Sequence, residues 1–90
     1  MAKVSIPSSF QKYFSNKTEI SIQATSLEEL LKKMESSFPE AKGKILGIDG
    51  KLNRFVRIFV DSKDIAELDK LNTELNEKSK VKILMALAGG

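Results

Sequence analysis

The group in this chain best placed to do chemistry is the α-carboxylate of Gly90, carried on the end Val81-Lys82-Ile83-Leu84-Met85-Ala86-Leu87-Ala88-Gly89-Gly90. Glycine has no Cβ, so a Gly89-Gly90 end can thread a channel too narrow for a side chain and bring backbone close to a partner. From the dipeptide alone, a frayed and functionless end is an equal reading. The rest of the composition narrows the choice. The chain has no cysteine and no histidine. It therefore has no disulfide framework, no thiolate nucleophile or ligand, no imidazole base and no near-neutral pH switch. A hydrolytic triad and a His-rich metal centre are excluded. A pair of carboxylates would need a pocket, which a chain of 90 residues rarely encloses.

That length corresponds to one domain near the lower limit for a self-sufficient core. The 15 Lys+Arg and 12 Asp+Glu are interspersed, giving a net charge of +3. Nucleic-acid binders concentrate their basic residues, and the nearest cluster here is Lys51, Arg54 and Arg57 with Phe55 between them. With no block of like charge and no stacking platform, neither nucleic acid nor membrane is expected as a partner. The alternating start Val4-Ser5-Ile6 is not a signal peptide, and no stretch is long enough to span a bilayer, so a soluble cytoplasmic protein is expected.

The elements that must position the C-terminus follow from periodicity. Lys3 to Ile6 alternates and stops at Pro7, a first strand. Ser8 to Lys17 reads as a loop in which Phe10, Tyr13 and Phe14 have the spacing of a short helical turn. Thr18 to Ala24 alternates as a second strand. Thr25 or Ser26, each with a glutamate three residues on, caps a helix whose apolar stripe is Leu27, Leu30, Leu31, Met34 and Phe38 and which Pro39 ends. Glu40 to Leu52 is a glycine-punctuated connection with its turn at Asp49-Gly50, and Ile45, Leu46 and Ile48 are expected to tuck beneath the helix. Phe55 to Val60 is a third strand, Asp61 to Asp64 a turn, Ile65 to Leu75 short irregular structure, Asn76 to Lys80 a polar turn and Val81 to Ala86 the last strand.

Two strands, one helix and two further strands with short pieces between predict an α+β fold of the ubiquitin-like β-grasp type. This is a mixed sheet of four to five strands with one main helix on one face. Residues 1–86 form the domain and residues 87–90 a flexible tail. Alternation turns Val56, Ile58, Val60, Val81 and Ile83 toward the helix. It turns Phe55, Arg57, Phe59, Lys82 and Leu84 to the open face. An apolar patch of Phe59 and Leu84 rimmed by Arg57 and Lys82 suits a protein partner, unless the middle connection folds over it.

The whole chain resembles the ubiquitin-like sulfur-carrier proteins. These include the small subunit of molybdopterin synthase and the carriers that supply sulfide for thiazole or cysteine synthesis. The likeness lies in the C-terminal ten residues, in Ala24 to Leu31, in Gly50 to Asp61 and in Val4-Ser5-Ile6-Pro7. It implies a carrier rather than an enzyme, with no bound cofactor. An adenylyltransferase related to ubiquitin-activating enzymes would use ATP to activate Gly90. A sulfur donor would convert the acyl-adenylate to a thiocarboxylate for a synthase that accepts the sulfur, in molybdopterin or cysteine synthesis. Gly89, Ala88, Leu87 and Ala86 would be the threading tail. The middle segment points to the molybdopterin and cysteine branches, and conjugation to lysines through Gly90 is the alternative. Where many members have proline, an Asn-Gly pair and a glycine pair, this chain has Met85, Asp61-Ser62 and Ser15-Asn16.

Overall fold

A computed structural model of the chain describes residues 1–85. The strands are β1 (Ala2–Ser5), β2 (Glu19–Ile22), β3 (Val56–Val60), β4 (Lys63–Asp64) and β5 (Lys80–Met85), with one α-helix, α1 (Leu27–Ser37), between β2 and β3. They form one five-stranded sheet in the order β2-β1-β5-β3-β4. β1 and β2 are antiparallel neighbours, β5 lies parallel to β1, and β3 runs antiparallel to both β5 and β4. This is the β-grasp arrangement: the last strand is inserted into the middle of the sheet.

Register follows burial. Val4, Ile20, Ile58, Val81 and Ile83 pack with Leu27, Leu30, Leu31 and Met34 of α1 in a single core, and the residues alternating with them point to the other face. The helix starts where the serine can satisfy its free N–H groups. Ser26 Oγ accepts from Glu29 N at 3.2 Å, and Glu29 Oε1 accepts from Thr25 N at 2.7 Å, so Ser26 is the cap and the glutamate closes the box. The Thr25 N–H, foremost, and the Lys33 charge hold the Glu29 carboxyl below its ordinary value, against a smaller opposing effect of desolvation. Phe38 caps the other end, and Pro39 opens a short 3-10 turn. A similar turn, Gln11–Phe14, places Phe10 and Phe14 in the core. Phe14 meets Phe38 edge-on at 5.3 Å.

The middle connection departs from expectation at one residue. Ile45 and Leu46 are buried, but Ile48 is fully exposed. Gly47 N bonds to Lys51 O and Gly50 N to Gly47 O, which fold 47–51 into a tight turn, and Ile48 stands at its tip. β3 begins at Val56, with Phe55 in the preceding turn because Val56 N bonds back to Asn53 O. The expected turn 61–64 is tighter than that: Asp61 and Ser62 alone reverse the chain, both at positive φ (50° and 72°), and Lys63–Asp64 already pair with β3. This is a two-residue hairpin loop, whose mirror-image turn suits the strand twist. Ser15 and Asn16 also adopt positive φ (56° and 60°), a left-handed backbone reached here without glycine. Ile65–Glu67 and Lys70–Asn72 form two more 3-10 turns.

Candidate functional site

The site is built from β5 outward. Because β5 lies between β1 and β3, both of its edges are paired: Val4↔Val81 and Ser5↔Lys82 on one side, Ile58↔Ile83 and Arg57↔Leu84 on the other. Val81 and Ile83 are locked into the core, leaving Lys82 and Leu84 on the opposite face. The last described residue, Met85, is half-buried and opposite Val56, with its Sδ 4.0 Å from Ser9 Oγ. Pairing with β1 ends at Lys82, so the chain leaves the sheet along β3, with Ile83, Leu84 and Met85 opposite Ile58, Arg57 and Val56. Ala86, Leu87, Ala88, Gly89 and Gly90, the expected reactive end and threading tail, lie outside the described residues, as does the expected domain boundary after residue 86.

Of the expected partner-face residues, the fold brings Phe59, Lys82 and Leu84 together. Phe59 pairs with Lys82 across β3 and β5, and the two share with Leu84 a shallow depression of about 410 Å³ completed by Ser5, Asp61, Ser62, Lys80 and Val81. No residue of the middle connection lines it, so that connection does not fold over the face. Leu84 remains 37% exposed. Arg57 is opposite Leu84, but its guanidinium reaches over β4 to Asp64, with Nη1 3.7 Å from Oδ2. Phe55 lies outside the strand and is covered by the Arg54 guanidinium, 4.9 Å from the ring centroid. Phe55 therefore does not belong to the depression.

Ser5, Asp61, Ser62 and Lys80 of the depression escape a reading of the sequence. Ser5 reaches β5 only because β5 is inserted next to β1, and nothing in a run of residues announces its neighbour strand. Asp61 had a legible signal, a short polar residue in a turn, but its partner is distant. Its N donates to Lys80 O at 2.8 Å and its Oδ1 accepts from Lys80 N at 3.0 Å, tying the β3–β4 turn to the start of β5. Among the described residues no group of His, Cys, Asp or Glu is arranged to hold a metal ion, and no helix is long and apolar enough to cross a membrane. What the site offers is a rigid root for a C-terminus beside a small apolar and basic surface.

The profile of the ThiS family matches residues 6–90, nearly the whole chain and its final Gly-Gly. The chain belongs to the ThiS family. It is 28% identical over 89 residues to the sulfur carrier protein CysO of Mycobacterium tuberculosis, covering 97% of this chain and 96% of that one. The crystal structure of M. tuberculosis CysO superposes with a TM-score of 0.88 at 25% identity, covering 97% of this chain and all of that one. A chain of the Amycolatopsis orientalis BexX/CysO complex shares the fold over the full length of both chains, with a TM-score of 0.90 at 24% identity. The small archaeal modifier protein 1 of Methanosarcina acetivorans has the same fold, with a TM-score of 0.86 at 20% identity over 99% of this chain and 95% of that one. The ThiS family fold is thus common to proteins named as carriers and to one named as a modifier. The five-stranded β-grasp around a central last strand is their shared element.

Proposed function

We propose that this protein is a sulfur carrier, not itself catalytic, that works through its C-terminal carboxylate. The observation that carries the reading is the match of the ThiS family through residue 90, on a fold whose final strand is clamped at the centre of the sheet. A carboxylate is a poor acyl donor because its oxygen is a poor leaving group. In the proposed sequence the Gly90 carboxylate oxygen attacks the α-phosphorus of ATP on a partner adenylyltransferase, releasing pyrophosphate. Hydrosulfide then attacks the acyl carbon, a C–S bond forms and AMP leaves with the C–O bonding pair. The resulting thiocarboxylate is a tethered sulfur nucleophile for an acceptor synthase, and its tethering replaces a bimolecular encounter with a positioned one.

The described residues supply docking. Leu84 and Phe59 provide the apolar contact, Lys82 and Lys80 the charge, and the pairing of β5 with β3 through Met85 fixes where the tail begins relative to that contact. The likeness to CysO favours an acceptor that makes cysteine, with molybdopterin synthesis the other branch. The test is activation of the purified chain by the adenylyltransferase of its own cell, read as pyrophosphate exchange into ATP. The intact chain supports exchange. A chain with one alanine appended after Gly90 does not, and equal exchange by the two would refute the reading.

A second reading uses the same end for isopeptide bonds to lysines. It draws on the fold shared with a protein named as a modifier. Gly-Gly remnants of this chain on the lysines of digested cell proteins would favour it.

A further inference from the structure

A second concavity, larger than the Phe59–Leu84 depression, lies away from the root of the tail. It is a groove of about 600 Å³ beyond the β3–β4 edge of the sheet, and it shares no lining residue with the Phe59–Leu84 depression. Its lining includes Leu52, Val56, Ile65 and Leu71, which give it an apolar floor. Lys51, Arg54, Arg57 and Lys70 rim it, against two carboxylates, Glu28 and Asp64. Arg57 already pairs with Asp64 at 3.7 Å, and Lys32 with Glu28 at 3.6 Å, so both acids are engaged by basic side chains. The fold thus gathers the scattered basic residues Lys51, Arg54 and Arg57 with a fourth, Lys70, which comes from a separate turn. Lys70 is held at φ 53°, a left-handed conformation that costs a residue with a Cβ about 1–2 kcal/mol. A lysine kept there by the surrounding turn, at the lip of a groove, fits a site that uses its charge.

We propose that this groove docks an acidic, partly apolar segment of a partner protein. The apolar floor takes alternate side chains of the segment, and Lys51, Arg54 and Lys70 take its carboxylates. The apolar floor argues against a continuous phosphate backbone, which has no apolar side chains to place on it. The one aromatic ring nearby, Phe55, has a face occupied by Arg54 and offers no free stacking platform. Because the groove lies apart from the Phe59–Leu84 depression, a partner held here leaves that surface free. The proposal does not depend on the sulfur-carrier reading.

The test is titration of the ¹⁵N-labelled full chain with a synthetic peptide of alternating glutamate and valine, followed by amide shifts. Shifts are expected at Leu52, Val56, Arg57, Leu71 and Asn72, lost when salt is raised severalfold. R54E and K70E, both surface changes whose own spectra report that the chain is folded, each weaken the peptide by about twofold to fivefold, as exposed ion pairs do. A lysine–valine peptide that binds equally well would overturn the proposal, as would no shift at these amides at millimolar peptide. So would shifts confined to Phe59 and Leu84, or an oligothymidylate that moves the same amides more tightly than the peptide.

Discussion

Arg57 and Leu84 stand directly opposite each other across β3 and β5, yet they serve different surfaces. Leu84 faces outward beside Phe59 and Lys82, whereas the Arg57 guanidinium turns to Asp64 at the far edge of the sheet. The pair marks the divide between the surface at the root of the C-terminus and the basic groove beyond it.

If the Leu84 side is the docking surface, L84E should separate stability from transfer. A half-exposed side chain on the solvent face contributes little to folding, so the urea midpoint should move by less than about 0.5 kcal/mol equivalent. Activation by the partner enzyme should fall at least tenfold, since an apolar contact would be replaced by a buried charge. Unchanged activation would remove Leu84 from the surface. I83A, one residue earlier and buried, should do the reverse and cost about 2–5 kcal/mol of stability.

The helix start gives a pH prediction. Glu29 is held below its ordinary value by the Thr25 N–H first and Lys33 after it, so its charged form is favoured in the folded chain. A carboxyl depressed on folding stabilises above its unfolded value, about 4.3, and that stability is lost as pH falls through the lower folded value. E29Q should flatten the fall of the melting temperature below about pH 4.3. An unchanged acid limb would contradict the capping box. S26A should cost about 1 kcal/mol at neutral pH, since it leaves Glu29 N without its acceptor.

The β3–β4 turn separates conformation from hydrogen bonding. Ser62, at φ 72°, accepts a left-handed backbone with no side-chain hydrogen bond among the described residues in return, so S62G should raise stability by up to about 1 kcal/mol. Asp61, at φ 50°, bonds Lys80 N through Oδ1, so D61G should gain less or lose stability. Equal gains from both would show that the Asp61–Lys80 bond contributes nothing. Thermal unfolding of the two variants decides it.

The parts legible in the sequence were those that local periodicity controls. The alternation of Val4 and Ile6, of Ile20 and Ile22, and of Val81 and Ile83 marked strands. The stripe from Leu27 to Met34 marked the helix, and Pro39 marked its end. What escaped depends on backbone geometry or on neighbours distant in the chain. Ile48 looked like core because it is apolar, but the hydrogen bonds of 47–51 put it at the tip of a turn. β4 has only two residues, too few to show a period. Phe55 matched the parity of Arg57 and Phe59, yet the chain turns before Val56 and takes it off the face. The groove was invisible because Lys70 joins Arg54 and Arg57 only through the packing of separate turns. The β-grasp itself was readable because two strands, a helix and a late strand that must return beside the first allow few other sheets.

The central claim is tested most directly by intact-mass spectrometry of the chain recovered from its native cells without reducing agent. The account predicts a subpopulation heavier by one exchange of oxygen for sulfur, which fragmentation assigns to Gly90. Only the plain carboxylate, in cells that are synthesising the sulfur-containing product, would contradict it.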